Sequence, residues 1–104
     1  MDLFKVVTTE AAKQHIRDIY SNSSAQGRWS FLETDAYVVK LEQKITSLAD
    51  NPNRFSRDEY TSRPLEYRSF QHGSHKVFYT VNHNTKTVYV AAILGSVTNY
   101  GENL

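Results

Sequence analysis

The stretch His72–Leu94, HGSHKVFYTVNHNTKTVYVAAIL, decides the fold of this chain. Two runs rich in Val, Tyr, Phe, Thr and Ile, Lys76–Val81 and Thr87–Leu94, flank the polar tetrapeptide Asn82-His83-Asn84-Thr85. Short β-branched and aromatic runs bounded by Asn, Gly and Ser read as strands, so the segment is a β-hairpin. Its second arm is almost continuously apolar, which predicts a central strand buried on both faces. On the N-terminal side, Gly73-Ser74 supplies a second turn, and Glu66–Gln71 (EYRSFQ) alternates polar and aromatic residues. That alternation sends Tyr67 and Ser69 to one face and Arg68 and Phe70 to the other. Three hairpin-linked strands then form an antiparallel meander.

Two helices precede the meander. Leu3–Thr8 (LFKVVT) reads as a first strand, joining the edge or the centre of the sheet. Thr8 and Thr9 can cap the next helix, with Glu10 in its first turn. Ala12, Ile16, Ile19 and Tyr20 recur at helical spacing, and Ser21-Asn22-Ser23-Ser24 is expected to end the helix in a polar loop reaching Gly27. Phe31, Thr34, Val38, Leu41, Ile45 and Leu48 form one stripe down a second helix of about five to six turns. Pro52 then stops it. Arg54–Pro64 is polar and irregular, and Gly95–Leu104 reads as loop. The expected architecture is α+β: an N-terminal strand, a two-helix hairpin and a three-stranded antiparallel meander, with residues 1–104 as one domain.

Bulk properties narrow the function. The formal net charge is +1, too small for binding nucleic acid through bulk electrostatics, so such contact would need a local patch. Cysteine is absent, which removes disulfides and thiolate chemistry and suits a reducing cytoplasm. No signal-peptide core and no apolar stretch of the ~20 residues needed to cross a bilayer is visible. A cytoplasmic location without membrane contact is therefore expected.

Four segments carry a family resemblance. Ala12–Tyr20 (AKQHIRDIY) places an acidic residue before Ile-aromatic. Leu41–Pro52 (LEQKITSLADNP) ends a helix in an L-A-x-x-P pattern. Leu65–Phe70 (LEYRSF) leads through Gly-Ser-His into a Phe-Tyr strand at Gly73–Val81, and Val88–Leu94 occupies the place of a last core strand. In order and spacing these resemble the RelE/ParE superfamily of bacterial toxins, and within it the ParE branch. The resemblance implies a growth-inhibiting toxin of a type II toxin–antitoxin pair. It would poison DNA gyrase by direct binding rather than catalysis, use no cofactor, and be neutralised by an antitoxin whose disordered tail folds along its surface. A homo-dimer and a toxin–antitoxin hetero-oligomer are both compatible with it.

The chain also departs from the family. ParE-like proteins follow the last strand with Leu-His and a basic segment, whereas this one reads Ile93-Leu94-Gly95-Ser96. RelE-type ribosome-dependent ribonucleases carry basic residues where this chain has Gln71 and Val97; Lys76 falls at a strand Arg position and Tyr100 near the tail Tyr. The alternatives are thus an mRNA endoribonuclease acting on the ribosome, with Arg68, His75 and Tyr100 as catalytic residues, or a non-toxic family member that only binds antitoxin.

RNA cleavage needs a base for the 2′-hydroxyl, an acid for the leaving oxygen and cations for the phosphorane. The target-binding set read from the sequence is Arg68, His72, His75, Lys76 and Tyr100. His72 and His75 flank a tight turn and their rings can converge; they can equally be turn and surface histidines. No metal site is expected, because no carboxylate lies near the histidines. Arg54, Arg57 and Arg63 are interspersed with Asp58 and Glu59 and read as a solvated loop rather than a phosphate track.

Overall fold

The computed structural model describes residues 3–26, 29–55 and 67–95. Strand β1 (Lys5–Thr8) leads into helix α1 (Glu10–Gln26). Helix α2 (Phe31–Ser47) follows, and then a 3-10 turn at Pro52–Arg54. The meander is β2 (Arg68–His72), β3 (His75–Asn82) and β4 (Thr87–Gly95). The sheet order is β1-β4-β3-β2. The expected α+β architecture is present, and β1 takes an edge, parallel to β4. β4 is therefore interior, with residues of both its faces buried.

A β-bulge at Ala91 decides which side chains of β4 meet the helices. Phe78 pairs with Ala92 but Tyr79 pairs with Val90, so Ala91 is the extra residue. Before the bulge Val88 and Val90 point to the helices, and after it Ile93 does. Strict alternation would have turned Ile93 away. Val88, Val90 and Ile93 join Phe70, Val77 and Tyr79 against Ala12, Ile19, Val38, Leu41, Ile45 and Leu48. Tyr67, Phe78, Ala92 and Leu94 form a second cluster on the opposite face.

Three local readings are corrected. Helix α1 does not end at Tyr20 but continues through Ser21–Ser24 to Gln26. Ser and Asn cost only a few tenths of a kcal/mol each in a helix, and no Gly or Pro interrupts the run before Gly27. Tertiary contacts also reward the extension: the Tyr20 hydroxyl donates to Asp35 at 2.7 Å and its ring stacks on Phe31. Phe31 itself is not on the buried stripe and is 71% exposed. It occupies the first turn of α2, beyond the sheet, where Tyr20 is its ring partner. The β3–β4 loop is His83–Lys86 rather than Asn82–Thr85, because Asn82 pairs with Thr87. The Asn82 side chain accepts the Asn84 and Thr85 N–H groups, and Lys86 takes the positive φ that closes the loop.

Each helix start is satisfied by side chains. Thr9 Oγ1 accepts the Ala12 N–H and donates to the Val90 carbonyl, tying the start of α1 to β4. Ser30 and Glu33 form a reciprocal capping box at α2.

Candidate functional site

The polar residues singled out from the sequence are divided by the sheet. Register places His75 opposite His72, and Arg68 two positions from Phe70, all on the helix-facing side. Lys76 lies on the other side, its ammonium 5.6 Å from the Phe78 ring centroid. Arg68 and His75 are separated along the β2–β3 pair by the Phe70–Val77 layer. Four residues of strand span about 13 Å at ~3.3 Å per residue. Arg68 donates to the Phe55 carbonyl at 2.7 Å and to that of Asn53 at 3.3 Å. Its guanidinium thus holds the segment after α2 against β2. Arg54 lies over the Phe55 ring. Tyr100, Arg57 and Arg63 lie outside the described residues.

His72 and His75 do converge, around a residue the sequence reading did not select. Tyr37, one helical turn ahead of Leu41, projects from α2 into the β2–β3 turn. Its hydroxyl donates to the His72 carbonyl at 2.7 Å and lies 2.8 Å from His75 Nδ1. A phenol has one proton, and here the carbonyl takes it. His75 Nδ1 must then carry the proton of the second bond, leaving Nε2 bare. The His72 ring is set the other way round. Nε2 donates to the Tyr37 carbonyl at 3.1 Å, and the buried Nδ1 has no hydrogen-bond partner among the described residues.

Burial pushes both histidines below the ordinary imidazole range. Lys44 and Lys40 add to the effect at His72, and His72 adds to it at His75. Both rings are therefore neutral near pH 7. Gly73 is required at this contact. Its φ is +56°, and a Cβ there would sit 2.6 Å from Tyr37 Cε2. Trp29 closes the cluster, its ring 5.1 Å from that of Tyr37 and itself 39% exposed.

His15 is the second residue that the sequence reading passed over. Its Nδ1 accepts the backbone N–H of Ile93 at 3.1 Å. β1 ends at Thr8, so among the described residues this stretch of β4 has no strand on that side, and Thr9 and His15 supply substitute partners at and just before the start of α1. Burial lowers the His15 pKa, against an opposing influence from Asp18, in keeping with an unprotonated Nδ1.

Beside Trp29 an apolar groove of about 520 Å³ opens between the helices, lined by Tyr20, Ser21, Trp29, Phe31 and Thr34. Asp35 sits at its edge, and the hydrogen bond to it pushes the Tyr20 phenol up to about 12. Among the described residues no three His, Asp or Glu side chains gather as metal ligands. No described helix is long and apolar enough to cross a membrane.

The geometry thus offers an apolar groove on the helical hairpin and a hydrogen-bonded Tyr–His turn, with the sheet cations dispersed. Residues 6–100 match the family described as ParE toxin of type II toxin-antitoxin system, parDE. The chain belongs to the ParE toxin family. It is a toxin of the type II toxin–antitoxin class, with an antitoxin as its cognate partner. Solved structures share its fold at low identity. The toxin–antitoxin complex RelBE2 from Mycobacterium tuberculosis aligns with a TM-score of 0.59 and 17% identity, over 89% of this chain and 98% of that one. A mutant of the Escherichia coli toxin RelE in the free state aligns with a TM-score of 0.52 and 13% identity, over 91% and 85%. No curated protein sequence matches the chain.

Proposed function

We propose that this ParE-family toxin acts in the cytoplasm by binding DNA gyrase, without catalysing a reaction. One observation carries the reading. Arg68 is committed to the Phe55 and Asn53 carbonyls, His72 is buried and neutral, and Lys76 lies on the opposite face. Among the described residues, the cation, acid and base that RNA cleavage needs do not share one site. The antitoxin is assigned to the helical hairpin, where the Tyr20–Trp29–Phe31 groove offers apolar surface to a segment that folds on binding. Tyr100 is assigned to target binding as an aromatic anchor.

One observation favours the ribonuclease reading: the half-buried His75 imidazole keeps a bare Nε2, the form a general base needs. Induced expression separates the two. Gyrase binding predicts inhibited supercoiling by purified toxin and intact mRNA on translating ribosomes. A ribosomal cleavage product that disappears in folded His75→Ala or Arg68→Ala protein would establish the ribonuclease instead. Absence of any growth effect, with antitoxin binding retained, would mark a non-toxic member. Tyr100→Ala is expected to relieve growth inhibition while leaving antitoxin affinity within about tenfold, ~1.4 kcal/mol.

A further inference from the structure

We propose that the outer face of α2 is a self-association surface, at which two copies of this chain pair through their α2 helices as a parallel coiled coil. Leu32 and Val39 are 77% and 43% exposed on the outer face of α2, clear of the groove that Trp29 and Phe31 line. Leu32, Ala36, Val39, Gln43 and Thr46 are all exposed and recur at steps of 4, 3, 4 and 3 residues. That is an unbroken d-a-d-a-d heptad stripe, set opposite the Thr34, Val38, Leu41 and Ile45 stripe that packs on the sheet. A concavity of about 400 Å³ is lined by Val39, Glu42, Gln43 and Thr46. These four stand at i, i+3, i+4 and i+7, the set that forms a hole for one knob of a facing helix.

Charge selects the occupant and its direction. Asp35 and Glu42 occupy g positions along one flank of the stripe; on the other flank Lys40 and Glu33 occupy e positions, with Glu33 committed to the capping box at Ser30. In a parallel pair each g residue faces the e residue five places on in its partner. Asp35 then meets Lys40 of the second copy, and the contact occurs twice by symmetry. An antiparallel pair would set the acidic flanks against each other. Tyr20 already fixes the Asp35 carboxylate at the rim, so little side-chain freedom remains to be lost there. Gln43 would face its own copy at an a position, where a polar residue specifies register. Helix α2 is only 17 residues, about 25 Å, so association along it is weak and concentration-dependent.

Self-association stands independently of the toxin's target. The natural chain has no cysteine, which makes the test direct. Sedimentation across a concentration series should show reversible dimerisation. Val39→Glu, at a 43% exposed site, should sediment as a monomer with an unchanged melting midpoint. Lys40→Glu should weaken the dimer about tenfold. Mild oxidation should cross-link Gln43→Cys to its copy and leave Lys44→Cys, which points away from the seam, largely uncrosslinked. A wild-type chain that stays monomeric throughout overturns the proposal, as does equal cross-linking of both cysteine variants. A face of α2 protected only in the antitoxin complex, with the free chain monomeric, would give that face to the antitoxin and also overturn it.

Discussion

Replacing Gly73 by Ala tests the contact that joins α2 to the β2–β3 turn. Two costs arise from the geometry. The backbone holds φ at +56°, where a non-glycine residue costs of order 1–3 kcal/mol. The new Cβ would also stand 2.6 Å from Tyr37 Cε2 and 2.7 Å from its hydroxyl oxygen, so the ring must leave. The ring carries hydrogen bonds to the His72 carbonyl and His75 Nδ1, each worth roughly 0.5–1.5 kcal/mol net. Summed, Gly73→Ala should cost about 2–6 kcal/mol, a large part of a domain stability of ~5–15 kcal/mol. Urea unfolding at neutral pH reads this as a lower midpoint at constant slope.

The double variant separates the two costs. With Tyr37→Ala already present there is no ring to displace, and Gly73→Ala should cost only its backbone share, about 1–3 kcal/mol. An equal penalty in both backgrounds would refute the claim that Tyr37 is what forbids a side chain at position 73.

Leu41 is fully buried at the centre of the α2 stripe, and Leu41→Ala should cost about 2–5 kcal/mol in thermal or urea unfolding. Acid should destabilise the fold through its histidines. His15, His72 and His75 are all held below 6.5, so below that pH the unfolded chain binds protons that the folded chain refuses. Their contribution is complete above pH 6.5 and is lost as pH falls; a urea midpoint flat from neutral pH down to pH 5 would contradict this. His15→Asn, which retains an acceptor without a titratable ring, should reduce that loss in the same titration. At the alkaline end, burial pushes the Tyr79 phenol up to about 12, and its hydroxyl donates to the Pro52 carbonyl at 2.6 Å. Stability should fall as pH rises past 10, less steeply in Tyr79→Phe, which itself should cost roughly 1–3 kcal/mol for the carbonyl left unpaired.

Local pattern was enough for the elements and their order. Strand and helix periodicity depend on neighbours two to four residues apart, and Lys76–Val81, Thr87–Leu94 and the Thr34–Leu48 stripe expressed them clearly. The capping box at Ser30 and Glu33 is the S-x-x-E run directly before the second helix, a signal the sequence carries locally. The length of α1 was not legible, since weak helix formers at Ser21–Ser24 are held helical by Tyr20 against Phe31 and Asp35 on another element.

Tertiary structure decided what the polar residues do. The Ala91 bulge moves Ile93 to the helix side of β4, a change of parity that alternation by itself could not show. Arg68 reads from the sequence as a candidate target-binding cation, yet its partners are carbonyls 13 and 15 residues away in the chain. Tyr37 meets His72 and His75 across 35 and 38 residues, and His15 meets Ile93 across 78. Such contacts depend on the hydrophobic stripes docking the helices on the sheet. The sequence therefore determined which faces are apolar, while docking determined which polar atoms came within hydrogen-bond distance of one another. That distance dependence, not residue type, separates the buried Tyr–His turn from a pair of surface histidines.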